Sequence, residues 1–225
     1  MISKLLSSAV KLYLRSQVER VECLKVQIVG RNKQILTGYI PQVFLSCSDA
    51  IYQGLHLSQV ELQGADIAFN LPGVLKGEPL KLLEPVFVDL ELKLSAADLQ
   101  ASLDSSLLQD GINDLWRMIT ATQPNLVTKS PIEWDNIATS GRELQLTGTY
   151  RDISGEIHQL TLSTAVNLVD SHTLCLSSVK IANRSLLTNQ IETELKIDLG
   201  TDIAIDRLIV EPKQILCAGK IRINN

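Results

Sequence analysis

His56, His158 and His172 are the side chains best suited to general-base work at neutral pH in this 225-residue chain. A base of that kind acts only with a nucleophile or a labile proton in reach, and none of the three lies in a G-x-S-x-G, H-E-x-x-H or Walker pattern. His56 stands between Leu55 and Leu57 in an alternating stretch, which points it to the solvated side, while His158 and His172 fall near turns. The densest carboxylate group is Asp198-Leu-Gly-Thr-Asp202, followed by Asp206. It lacks calcium-loop spacing, and acids flanking a glycine in β structure serve turns and strand edges. An enzymatic reading requires two of Asp98, Asp198 and Asp202, or a histidine, to meet in one pocket. Cys23, Cys47, Cys175 and Cys217 form no C-x-x-C pair and have no histidine pair at zinc spacing, so they read as buried free thiols in a reducing compartment. Gly73 and Gly77 lack the Gly-Lys-Ser/Thr end of a phosphate loop and mark a turn. These residues assign no catalytic group, no metal and no cofactor.

What remains is apolar. Leu, Ile and Val fill 73 of 225 positions and Phe, Trp and Tyr only 9, which excludes a disordered chain. An aliphatic, aromatic-poor interior can line an acyl-chain cavity, but on composition alone a dry core is the favoured reading. The net charge of −4 lacks the basic footprint of a nucleic-acid binder. Lys76, Lys81 and Lys93, and Lys4, Lys11 and Arg15 near the N-terminus, are the basic groups suited to phosphate headgroups. No apolar run approaches the ~20 residues of a membrane-spanning helix. Lys4, Lys11 and Arg15 also interrupt the apolar block that a signal peptide needs, so the expected location is the cytoplasm, with peripheral contact at a membrane surface.

These residues must be positioned by local elements. Leu5, Leu6, Ala9, Val10, Tyr13 and Leu14 recur at three-and-four spacing, an amphipathic helix over about 1–20. From Val21 the period is two, through Leu24, Val26 and Ile28, then Val43, Leu45 and Cys47. The stretch from Leu55 to Gln63 alternates, Gly64 interrupts it, and Ile67 and Phe69 resume on the other side, as in a bent or bulged strand. Val86, Val88, Leu90, Leu92 and Leu94 are the clearest strand. Ser95 with Asp98 is a capping-box variant that starts a helix at Ala96, continued after Asp104-Ser-Ser106 by Leu107, Leu108, Ile112, Leu115, Trp116 and Ile119. Pro124 and Pro131 enclose a connector, and 142–223 reads as an antiparallel meander. The result is an α+β chain, one domain over 1–225 or two helix-plus-meander halves, 1–94 and 95–225. Its sheet must curl around the two helices or fold into two layers.

Several stretches have a familiar look: Gly38-Tyr-Ile40, Leu55-His-Leu-Ser-Gln-Val-Glu-Leu62, Leu75-Lys-Gly77 and Ser95-Ala-Ala-Asp-Leu99, then Arg142-Glu-Leu-Gln-Leu-Thr-Gly-Thr149, Asn167-Leu-Val-Asp170, Ile197-Asp-Leu-Gly-Thr-Asp202 and Leu216-Cys-Ala-Gly-Lys-Ile221. Over nearly its whole length the chain resembles the LmeA-like phospholipid-binding proteins, in the form associated with cyanobacteria. The resemblance implies a long curved antiparallel meander wrapping two amphipathic helices, similar to tubular lipid-binding domains. It also implies non-catalytic binding of a phospholipid or other amphiphile, and it carries over no catalytic residue. On that reading Leu99, Leu103, Leu107 and Trp116 line the tail site from the central helices, and Leu6, Val10, Tyr13 and Leu14 from the N-terminal one. The alternative is a structural protein that docks a protein partner through an edge strand and the N-terminal helix.

Overall fold

The three-and-four spacing at the N-terminus folds as helix α1 (Ile2–Gln17), and the change to period two opens strand β1 (Arg20–Val29). The computed structural model describes residues 2–122, 131–152, 154–183, 186–191 and 194–224; the connector between Pro124 and Pro131 lies mostly outside them. A one-turn helix α2 (Asn32–Ile35) leads into the long hairpin of β2 (Tyr39–Tyr52) and β3 (Leu55–Ala68). Its turn residues Gln53 and Gly54 both have positive φ, 49° and 76°, the type I′ geometry whose twist matches the flanking strands. A second short helix α3 (Leu71–Leu75) precedes β4 (Val86–Ser95). The capping box then forms as expected. The Asp98 amide donates to Ser95 Oγ at 3.1 Å, the Ser95 amide donates to Asp98 Oδ2 at 2.7 Å, and α4 (Ala96–Ala101) begins at Ala96. Helix α5 (Ser106–Thr122) follows.

The remaining strands are β5 (Glu133–Ser140), β6 (Glu143–Arg151), β7 (Ile157–Asp170), β8 (Thr173–Asn183), β9 (Leu186–Ile191), β10 (Leu195–Asp198), β11 (Ile203–Glu211) and β12 (Gln214–Ile223). They form two open antiparallel sheets. The first runs β1-β2-β3-β4-β12-β11 and the second β10-β8-β7-β6-β5, with β9 also on β8. The fold is therefore α+β and its meander is unclosed.

Two expectations change. Strand β5 falls outside the stretch read as strand, because Trp134 and Ile137, both buried, are three apart rather than two. A bulge between Trp134 and Asn136 shifts the register against β6 and hides the alternation. Opposite it stands Gly148, where a Cβ would sit 2.6 Å from the Glu133 carbonyl oxygen. The second half is also not one meander. Its last hairpin returns to the first sheet, where β12 pairs β4 from Gln214 against Ser95 to Ile223 against Val86.

The interruption expected at Gly64 is present as a slip of phase without a bulge, and beyond it Ile67 and Phe69 both face the core. Asp66 adopts φ 56°, and the inward phase slips on both partners together. Ile40 and Val43 on β2 face the same core as Ile67 and Phe69, and the β2–β3 register stays continuous.

There are two cores. One packs α4 and α5 on the second sheet through Leu99, Leu103, Ile112, Leu115, Ile119, Leu146, Leu162 and Ile181. The other packs Leu6 of α1 and Ile35 of α2 against Ile40, Ile67, Phe69, Val86 and Val88 at one end of the first sheet, where Leu80 and Leu82 join it. Between them the cross-strand neighbours Val26–Leu45–Leu62–Leu90 and Leu24–Cys47–Val60–Leu92–Cys217 form two apolar rows. Except for the buried Val60, these side chains are half-buried.

Candidate functional site

Among the described residues, three surface depressions bear on the expected site residues. The first, about 530 Å³, lies on the outer face of the first sheet, among Lys25, Gln27, Glu61, Gln63, Asp89 and Glu91. Three carboxylates in that lining disfavour both an apolar tail and a phosphate.

A second, about 230 Å³, brings His56 and Asp98 together with Arg20, Glu22 and Asp49. This is the meeting of an acid and a histidine that an enzymatic reading requires. Asp98 nevertheless serves the helix cap. Burial alone would raise its carboxyl, but hydrogen bonds from Ser58 and Ser95, with a smaller contribution from His56, outweigh it and hold the pKa below the ordinary carboxylate value. A general base or acid for neutral pH is tuned in the opposite direction. His56 is half-buried rather than solvated, because α4 crosses its strand and the Ser102 hydroxyl accepts from the His56 amide at 2.8 Å.

The other acids sit in turns. Asp198 accepts from the Gly200 amide at 2.8 Å, and Asp202 lies 3.6 Å from Arg222. Asp152, Glu156 and His158 place one ligand atom each within 4.8 Å of one another. Asp152 Oδ1 there accepts from the amides of Ser154 and Glu156, and Oδ2 meets His158 Nε2 at 2.8 Å. The Ser154 hydroxyl and then His158 hold that carboxyl far below its ordinary value.

The third depression is apolar. It is a half-enclosed cavity of about 100 Å³ between α1 and the first sheet, and almost no polar atom lines it. Val10, Tyr13 and Leu14 cover it, with Val43, Leu45, Leu62, Val88 and Ile223 beneath and Leu80 and Leu82 at the side. Leu6, 2% exposed, closes the core beside it. The four residues expected from α1 therefore gather at or next to this cavity.

The four expected from the central helices stand elsewhere. Leu99 and Leu103 are buried in the second core, Leu107 is 48% exposed, and Trp116 packs edge-on to Trp134 with ring centroids 6.1 Å apart. The indole nitrogen of Trp134 finds no hydrogen-bond acceptor among the described residues. The structure thus divides the expected set between the two cores and leaves Leu107, expected to line the tail site, at the surface. Sequence reasoning missed the sheet floor of the cavity, because alternation marks a strand without saying which apolar face stays uncovered. It also missed Leu80 and Leu82, whose two-residue spacing is short and embedded in a turn-rich segment.

Of the thiols, Cys175 is buried, Cys47 and Cys217 are half-buried and Cys23 is exposed. The expectation of burial fails at Cys23, which lies on the edge strand β1. Burial pushes the Cys47, Cys175 and Cys217 thiols upward, so they stay protonated at neutral pH. Among the described residues no helix is long and apolar enough to cross a membrane. A family model described as LmeA-like phospholipid-binding matches residues 1–220. No curated protein and no solved structure matches the chain.

Proposed function

The chain belongs to the LmeA-like phospholipid-binding family, and from that premise we propose that it holds one phospholipid or similar amphiphile non-catalytically, with the acyl tail between α1 and the first sheet. The observation that carries this reading is the apolar cavity under Val10, Tyr13 and Leu14. At about 100 Å³ it is smaller than the ~300–1,000 Å³ of ordinary ligand pockets, so tail entry requires α1 to lift. From Leu6 to Gln17 only Leu6 of α1 is fully buried, so lifting this part of the helix exposes little tightly packed surface.

The floor exposed by that movement continues into the apolar rows through Leu45 and Leu62. At the ~4.8 Å strand spacing the row holding these two spans roughly 14 Å from β1 to β4, and the neighbouring row through Val60 roughly 20 Å from β1 to Cys217 on β12, lengths comparable with an extended acyl chain. About ten methylenes buried there supply about 8 kcal/mol of gross transfer free energy, against which the cost of ordering the tail is set. When lifted, α1 meets a membrane interface with Lys11 and Arg15 towards the headgroups, each contributing about 1 kcal/mol at an anionic surface.

Native mass spectrometry and solvent extraction of purified protein test the proposal, together with uptake of a fluorescent fatty acid below its micellar concentration. Stoichiometric lipid, lost in a Val10→Asp/Leu14→Asp variant that keeps its circular dichroism spectrum, is the expected result. Repeated recovery of lipid-free protein with no uptake overturns it.

A further inference from the structure

The end of the first sheet beside the cavity carries an unusual surface. The C-terminus of β1 turns there into α2, the segment from Phe69 through α3 folds back, and the chain from Pro79 to Pro85 closes the end. Backbone bonds tie these pieces together. The Phe69 amide donates to Gly38 O at 2.9 Å, Asn70 to Lys81 O at 3.1 Å and Leu83 to Ala68 O at 2.9 Å. The Asn70 side chain bonds both the Lys81 amide and the Pro79 carbonyl.

From this braced tip three leucines project into solvent, Leu36 at 50%, Leu75 at 61% and Leu83 at 63% exposure. Exposed Arg31, Lys33, Lys76 and Lys81 stand among them. The acids of the same loops are Glu78 and Glu84, with Asp66 nearby bonded to the Tyr39 hydroxyl. The tip is therefore net basic on a chain whose net charge is −4.

Exposed leucines scattered singly are ordinary, but three on one braced tip with bases among them form an apolar patch of the kind that marks an interaction site, and a bilayer interface accepts apolar side chains below its headgroups and bases beside anionic ones. The segment Leu80–Leu83 links this surface to the cavity. Leu80 and Leu82 turn inward to line it, while Lys81 and Leu83 turn outward. We propose that the molecule docks tip-first on an anionic bilayer, inserting Leu36, Leu75 and Leu83 between headgroups held by Arg31, Lys33, Lys76 and Lys81. The cavity mouth then opens at the membrane surface. This rests on the lipid-binding reading above and adds a second membrane contact, the tip, to the one proposed for the lifted α1.

The test is co-sedimentation of the full chain with phosphatidylcholine vesicles, with and without phosphatidylglycerol. Uptake of the fluorescent fatty acid, in the absence of vesicles, is measured in parallel. The wild type is expected to sediment with the anionic vesicles and to detach as salt rises. Leu75→Asp/Leu83→Asp and Lys76→Glu/Lys81→Glu are each expected to weaken sedimentation by roughly tenfold or more. Both sites are exposed, so thermal stability and fatty-acid uptake should match wild type.

Tip variants that sediment like wild type overturn the proposal, as does loss confined to Leu12→Asp, whose side chain is 73% exposed on α1. A wild type that takes up fatty acid yet ignores anionic vesicles also overturns it and leaves the lipid-binding proposal standing. Tip-dependent sedimentation without any lipid uptake supports the docking surface and removes the lipid-binding proposal instead.

Discussion

Helices α1 and α5 have similar lengths and a single apolar stripe each, yet they pack differently. From α5, Ile112, Leu115 and Ile119 are all buried, and they meet Leu146, Leu162 and Val179 on the second sheet at 0–1% exposure for the three strand residues. From Leu6 to Gln17, α1 buries only Leu6 fully, and the turns after it cover a cavity instead of filling a core. An apolar stripe therefore states that a helix will be covered, without stating how completely. On the proposed function, the side of the first core under α1 is the adaptable one, although Ile35 and Phe69 of that core are fully buried, like the central residues of the second.

Removing packed methyls from each side of that contrast gives the sharpest test. Leu162→Ala in the second core is expected to cost about 2–5 kcal/mol in chemical denaturation, the range for a fully buried leucine. A loss under about 1 kcal/mol would erase the distinction between the two cores. Next in size is Ser95→Ala, which removes the side-chain acceptor at the start of α4 and should cost about 0.5–2 kcal/mol by the same measurement. Leu14→Ala, at the cavity, is expected to cost about 1 kcal/mol or less while lowering fatty-acid affinity. A stability loss as large as that of Leu162→Ala would make α1 an ordinary core helix.

The smallest effect is a pH dependence at the junction between the two regions. Because the folded Asp98 carboxyl lies below its ordinary value, the folded chain binds that proton less readily than the unfolded one. Its contribution is complete above the unfolded value of about 3.9 and is lost as pH falls through the lower, folded value. The stability gap between wild type and Asp98→Asn should therefore be widest near neutrality and narrow in acid. A gap independent of pH would show that the charge of Asp98 contributes nothing.

The same contrast explains what was legible in the sequence. Helix α1, strand β4 and the Ser95–Asp98 cap were all readable, because each is written in neighbouring residues: a stripe, an alternation and a cap followed by an acid. Strand β5 was not, since the bulge at Trp134 and Asn136 erases its period. The setting of His56 was not either, because the helix that half-covers it lies some forty positions further on. The α1 side of the cavity could be named from its stripe. The placement of Leu99 and Leu103 in a different core could not, since both helices present the same kind of apolar face and only the sheet pairing decides which partner each receives.

The return of β12 to β4 also sets the order in which the molecule can be made. Until Gln214 to Ile223 leave the ribosome, β4 is the bare margin of a four-stranded sheet, with the whole second sheet still to be synthesised before its partner arrives. Contacts between residues so distant in sequence slow folding. During that wait the alternating valines and leucines from Val86 to Leu94 offer an unpaired strand to any other chain. The C-terminal hairpin thus works as a late-arriving clasp. A chain released before β12 is complete would keep an intact α1 stripe and capped α4, and would be prone to aggregate through β4.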